Sequence, residues 1–374
     1  MNNIKKKIQG NLDSLGITAI SILLILVLDF LGIFQTLELK VFDYSFGIRG
    51  PMSGWMSYQD DKKVDSDIVL IELDDESYRL IPWTYPYPRG EVWTKIIENL
   101  SLAGAKVIVL DIMLDSPDQR SELLKNYKQT KEFTLPNHGD DIFANMIRNI
   151  QERGTDVILA SKRANEPTSI PPQYILLPNP RIMAANPLTG LTNVVEDKDG
   201  FMRRYYVFLP LDHEQDKLHL TMGMQAVHSY LDLPTGTILK GDAKAHNIEY
   251  GPLNIHTYGQ TPTFLINYEG PPSGKMVPGR DKAWKTFPRY PLSNILDVEE
   301  ITLSDPLEDT DWMDQFIGKV PEWITMLSDS TEKAETMALL GIDKFDVTKT
   351  PFYNKIVVIG PSTEVLQDTK KTPF

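Results

Sequence analysis

The hydrophobic pattern of this chain changes period most clearly between Ile68 and Met113. Ile68-Val69-Leu70-Ile71-Glu72-Leu73 is a β-branched run that stops at Asp74-Asp75-Glu76-Ser77, which predicts a buried strand ending at a polar turn. After the loop Pro86-Tyr87-Pro88-Arg89, the residues Val92, Trp93, Ile96, Ile97 and Leu100 recur at helical spacing and predict an amphipathic helix. Gly104 stops it, and Val107-Ile108-Val109-Leu110 predicts a second strand that also ends at a carboxylate, Asp111. Two apolar strands joined by such a helix run parallel with a right-handed crossover. Asp74, Asp75 and Asp111 are therefore expected on one edge of a sheet, the edge where open α/β sheets bind ligands.

The pattern then repeats. Asp140 or Asp141 is expected to cap a helix carrying Ile142, Met146, Ile147 and Ile150, and Val157-Ile158-Leu159-Ala160 predicts a third strand. Pro167 to Pro187 holds six prolines and predicts extended loop and edge structure. Gly190 to Val195 and Phe201 to Leu209 predict a hairpin, with Asp197-Lys198-Asp199-Gly200 as its turn. A helix is expected through Met222, Ala226, Val227 and Tyr230, then strands near Asn254 to Thr257 and Phe264 to Tyr268, and a last apolar strand over Lys355 to Gly360. Asp115 to Gly139 and Asp297 to Thr350 are polar and turn-rich, and predict two insertions, near 115–139 and 297–350, the second with a helix around Glu332 to Leu340. The fold class expected is α/β, with a largely parallel or mixed central sheet flanked by helices and preceded by one transmembrane helix.

That first helix is read from Leu15 to Phe34, which is almost wholly apolar and about 30 Å long as a helix. It lacks the cleavage site of a signal peptide, so an uncleaved anchor is expected. Lys5, Lys6 and Lys7 are expected to hold residues 1–14 in the cytoplasm, with residues 35–64 as a connector and 65–374 as a domain outside the membrane. Asp29 interrupts the span near its outer end, where it either snorkels to the interface or meets a second helix in a dimer.

Composition narrows the chemistry. The net charge of −13 argues against a nucleic-acid surface and against electrostatic adhesion to anionic lipid. The absence of cysteine removes disulfides, thiolate catalysis and Cys-ligated metals without fixing the compartment. Asp74 and Asp111 either bind a cation or a ligand's donors or simply cap turns, and Asp75 is read as a cap. Arg89 either pairs with these aspartates or grips an anion in a bidentate fork. Asp197-Lys198-Asp199-Gly200 resembles half a calcium loop, but Arg203 and Arg204 stand where acidic ligands are wanted. Asp199 is expected in the turn, and Arg203 toward the strand-end acids or solvent. Six scattered histidines give no zinc spacing, and neither a Gly-x-Ser-x-Gly elbow nor a phosphate loop occurs. No cofactor, metal or catalytic residue is expected.

In order along the chain, several short motifs resemble the type-2 CHASE domain, an extracytoplasmic sensor of bacterial cyclases and histidine kinases. They are Ile71 with Asp74 and Ser77, Pro86-Tyr87-Pro88-Arg89, Ala103-Gly104-Ala105-Lys106, and Asp111-Ile112. Asp197-Lys198-Asp199-Gly200 with Arg203-Arg204, Asn267-Tyr268 with Gly270-Pro271, and Lys355 to Gly360 with Asp368 and Thr372-Pro373-Phe374 complete the set, covering roughly Phe42 to Phe374. The resemblance implies a sensory input module, with Thr372-Pro373-Phe374 where such chains re-enter the membrane toward an output domain. The ligand-binding residues expected are Asp74, Arg89, Asp111, Asp199 and Arg203. The expected partners are a small-molecule or envelope stimulus, the membrane and a second copy in a homodimer. An anchored metal-assisted hydrolase and a dimerising scaffold are the alternative functions.

Overall fold

The computed structural model describes residues 2–30, 33–50, 66–128, 137–242, 246–258, 261–320, 324, 326–327, 329–339, 345–362 and 372. Its centre is a parallel sheet. Strands β1 (Ile68–Leu73), β2 (Val107–Leu110), β3 (Asp156–Asn165) and β5 (Leu188–Leu191) are joined by β13 (Arg289–Pro291) and β14 (Ile356–Pro361). The order is β13-β1-β14-β2-β3-β5, all parallel, and β4 (Gln173–Leu176) runs antiparallel to the far half of β3.

The period-two pattern of the strands separates two cores. Val69, Ile71, Leu73, Ile108, Leu110, Val157, Leu159, Val357 and Ile359 are buried on one face. There they meet α4 (Thr94–Leu102), α6 (Gly139–Glu152) and α9 (Leu292–Leu296), to which α4 gives the expected stripe Ile96, Ile97 and Leu100. Val92 and Trp93 precede it in a π turn, Arg89–Trp93. On the other face Val107, Val109, Ile158, Ala160 and Ile356 pack on Met222 and Ala226 of α8 (Met222–Tyr230). Met224, on the opposite side of α8, joins a satellite core with Val207, Ile248 and Tyr250. That core lies among the small sheets formed by β6 (Arg204–Tyr206) with β12 (Thr263–Leu265), β7 (Phe208–Leu211) with β8 (Glu214–Leu220), and β9 (Leu239–Asp242) with β10 (Asn247–Tyr250) and β11 (Leu253–His256).

Three local expectations are corrected. The hairpin between Gly190 and Leu209 does not form: β5 adds to the central sheet beside β3, and only a bridge from Val195 to Arg204 and the turn at Gly200 remain. The cause is close packing of Gly190 under α8, where a Cβ would stand 2.4 Å from the Met222 Cα. Neither Asp140 nor Asp141 caps α6. His138 does, accepting from the Asp140 amide at 3.3 Å, which leaves the Asp140 carboxylate for other partners. The proline-rich stretch holds β4 and a short helix, α7 (Pro180–Met183), as well as loop. Within the two expected insertions lie α5 (Gln119–Lys128), α10 (Asp314–Ile317) and the helix Ser330–Leu339.

The amino-terminal region is two helices, α1 (Asn2–Phe30) and α2 (Ile33–Arg49), so Phe34 belongs to α2 rather than to the end of a span from Leu15. Among the described residues no helix is long and apolar enough to cross a membrane. The side chains of α1 are described over 14–28, about 22 Å of helix, and all but Leu28 are exposed, including Leu15, Ile20 and Leu23. The Asp29 side chain lies outside the described residues, as do 51–65 of the expected connector.

Gly190→Ala should cost about 1–3 kcal/mol, because the added methyl meets backbone that cannot rotate away. Urea unfolding followed by circular dichroism measures it, and wild-type stability in this variant would refute the close approach to Met222.

Candidate functional site

At the carboxyl edge of the sheet, Asp74 follows β1 and Asp111 follows β2, as expected. β14 lies between them, with Gly360 in register with Glu72 and Ile359 with Leu110. Two strand spacings put the carboxylate-bearing ends about 10 Å apart. Asp74 is the N-cap of α3 (Asp75–Leu80), accepting from the Ser77 amide at 2.8 Å, and Asp75 lies exposed in that helix's first turn. Asp111 is exposed at the strand end. Beside them Glu72 pairs with Arg289 at 3.0 Å, yet burial outweighs that cation and Asp74 adds to the effect, so its carboxyl titrates above the ordinary range. Tyr205, whose hydroxyl burial pushes up and which accepts from the Gly223 amide at 3.1 Å, senses the Asp111 charge.

Arg89 does not join this edge. Its guanidinium is buried against Asp140, whose second oxygen accepts from the Asn179 amide nitrogen at 2.7 Å and the Asp118 backbone at 3.1 Å. The Arg89 backbone donates to Asp118 at 2.9 Å, and Ser121 donates to the other oxygen of Asp118 through both amide and hydroxyl. The hydrogen bonds from Ser121 and the Arg89 amide hold the Asp118 carboxyl below its usual value despite its burial. The network fastens α6, α7 and the start of α5 to the turn before α4, with Arg89 as its cation.

The densest ionic cluster lies elsewhere, and Arg203 is its centre. Its side chain is 1% exposed, with Nε and one Nη each 2.7 Å from the two oxygens of Asp43, a bidentate pair. The remaining donors reach Asp197 at 2.9 Å and Asp199 at 2.7 and 2.9 Å. Phe201 lies under the guanidinium at 4.6 Å, and Arg204 neutralises the other oxygen of Asp197. Arg203 thus faces neither the strand-end acids nor solvent; Asp43 belongs to α2. Charge-assisted hydrogen bonds from Arg203 hold the Asp199 carboxyl at about 2, and the acceptor carboxylates, Asp43 foremost, in turn raise Arg203 above its ordinary value.

A second set of contacts reinforces the grip. Arg49, at the end of α2, donates to the Asn267 side chain and the Tyr268 carbonyl, and stacks over Phe46 at 4.6 Å. Phe46, 2% exposed, meets the Tyr268 ring edge-on at 5.8 Å. The Tyr268 hydroxyl donates to the Met202 carbonyl, and burial pushes it up to about 12. Two sequence-distant motifs, Asp197 to Arg204 and Asn267-Tyr268, therefore converge on one face of α2. The sequence reading missed Asp43 and Arg49. Their signal was the recurrence of Phe42, Asp43, Phe46 and Arg49 at helical spacing inside a stretch read as connector.

A third acidic group, Asp297, Asp309 and Asp311, has one oxygen of each within 4.8 Å. Asp297 accepts from the amides of Thr310, Asp311 and Trp312 and from the Thr310 hydroxyl, which makes it the organiser of that turn.

Asp140→Ala should cost about 3–5 kcal/mol by stranding a buried guanidinium, whereas pairing Arg89→Met with Asp140→Leu should recover most of it; thermal and urea unfolding of the two variants and the wild type measures both. Asp199 has a folded value below its ordinary one near 4, so its contribution is complete above about pH 4 and lost as pH falls toward about 2. Hydrogen exchange corrected for intrinsic rates should show α2 losing protection over that window, and Asp199→Asn should remove the dependence. Unchanged wild-type protection across it would deny that the pair holds α2.

The family model for the CHASE2 domain matches residues 19–374, which takes in α2, the central sheet and the Arg203 cluster. No curated protein and no solved structure matches the chain. With Asp43, Arg203 and the sheet inside one matched region, the chain belongs to the CHASE2 domain family, whose members are sensory extracytoplasmic domains of signalling proteins.

Proposed function

We propose that this chain is the input module of a membrane-bound bacterial receptor. A small molecule or envelope stimulus outside the inner membrane changes how the α/β domain holds α2, and α2 hands the change to α1 in the bilayer. The observation that carries this reading is the bidentate pair between Arg203 and Asp43, a desolvated contact between the sensor and the helix that follows the apolar stretch. The exposed apolar side chains from Leu15 to Val27 support insertion of α1, with Lys5 to Lys7 on the cytoplasmic side. Signal passes only if the stimulus binds two states of the clasp differently. Of the residues expected to meet a ligand, Asp111 stands exposed at the sheet edge, across β14 from Glu72, and it is the contact proposed. The output is a cyclase or histidine kinase. The hydrolase reading has less support, because Asp74 is engaged as a cap and lies across β14 from Asp111.

Topology and coupling are tested together. The chain has no cysteine, so Leu307→Cys, 87% exposed, is a single reporter. A membrane-impermeant maleimide added to intact cells should label it. For a compound that raises the melting temperature in a screen of the full chain, exchange at α2 should change in wild type, while Arg203→Lys keeps the melting shift and loses the α2 response. Labelling only after lysis, or an identical α2 response in Arg203→Lys, would overturn the proposal.

A further inference from the structure

One face of α2 is spent on the sensor domain; the opposite face is not. Leu37, Val41, Tyr44 and Ile48 are 57%, 63%, 73% and 74% exposed, and they follow one another at spacings of four, three and four. That is the spacing of the a and d positions of a coiled coil, a stripe that buries fully only against a copy of itself or a close mimic. Phe46, on the far side of the helix, is buried against Tyr268, so the stripe cannot turn inward without breaking the clasp. Nor does the helix suit hydrocarbon, since Glu38, Lys40, Asp43 and Arg49 punctuate it.

We infer that α2 is a dimer interface, occupied by α2 of a second copy of this chain in parallel. Three observations select that occupant. The four-three-four spacing is self-complementary about a two-fold axis. The flanks also match: Lys40 borders the stripe on one side and Glu38 on the other, so a parallel copy sets opposite charges along each flank. The four side chains offer on the order of 500 Å² per copy, or roughly 1,000 Å² in the pair, which is the lower bound for a specific interface. The parallel orientation rests on the receptor reading above, because two copies anchored in one membrane point the same way, and confinement there raises their effective concentration. Each α2 then has the Arg203 clasp on one side and its partner on the other, so a change in the clasp alters the packing of the pair.

The test is disulfide crosslinking of the full chain in membranes, clean because the chain has no cysteine of its own. Leu37→Cys, Val41→Cys, Tyr44→Cys and Ile48→Cys should each give a covalent dimer on oxidation, several-fold above Leu307→Cys and Asp43→Cys. Val41→Glu with Tyr44→Glu should return the purified protein in detergent to monomer mass with an unchanged melting temperature, since both side chains are exposed in their own domain. Crosslinking no higher at the stripe than at Leu307 would overturn the inference. So would a monomer whose stripe cysteines are shielded from maleimide, which would mean that residues 51–65 or lipid cover the stripe. Stripe crosslinking in a chain that fractionates away from the membrane would leave the interface standing and remove the receptor reading instead.

Discussion

A guanidinium taken almost wholly out of water stays charged and stable only when every donor finds an acceptor, and the molecule is arranged around meeting that demand for Arg203. Two of its acceptors, Asp197 and Asp199, come from the adjacent turn and are cheap to position. The third is recruited from a residue 160 positions earlier in the chain. That distant acceptor is what joins α2 to the domain, and Arg49 and Phe46 add a polar and an aromatic contact to the same face. Three carboxylates against two guanidiniums leave the cluster slightly acidic, so it depends on the arginines rather than the reverse.

The second buried cation has a different setting. Arg89 also sits in a motif that invites a ligand reading, yet its acceptor Asp140 is fully buried and shared with Asn179 and the Asp118 backbone. That acceptor commits the Arg89 guanidinium to the interior of the fold. The contrast separates the two sites: the Arg89 network joins elements of one core, whereas the Arg203 network joins the core to a helix that has a second face in solvent.

What the sequence disclosed and what it hid follow from range. β1, α4, β2, α6 and β3 were legible because each carries its own apolar pattern, and the unbroken apolar runs Val107 to Leu110 and Val157 to Ala160 report burial on both faces. The place of β14 was not legible: Ile356 to Ile359 reads as a buried strand, but nothing local says that it separates β1 from β2 and so parts Asp74 from Asp111. α2 was concealed because two stripes, one docked and one exposed, blur into an aromatic-rich stretch with two glycines, Gly47 and Gly50, that mimics a loop. The hairpin at Gly190 failed because turn chemistry was weighed without the helix that lands on it. For the candidate site, the charged motifs Asp197 to Arg204 and Asn267-Tyr268 stood out in the sequence, but their pairing with Asp43 and Arg49, a matter of tertiary distance, did not.

The insertion of β14 also governs the order in which the molecule can be built. β1 and β2 are made early but never touch as neighbours; they must hold a slot one strand wide until residues 356–361 arrive. A chain threaded outward through a membrane from its amino end would present that open slot, lined by the unpaired donors and acceptors of two hydrophobic strands, for most of its passage. Direct zipping of β1 onto β2 is the ready error, and it would exclude the last strand for good. Sheets closed by such late, central strands fold slowly, and the exposed slot is where an export chaperone would have the most to protect.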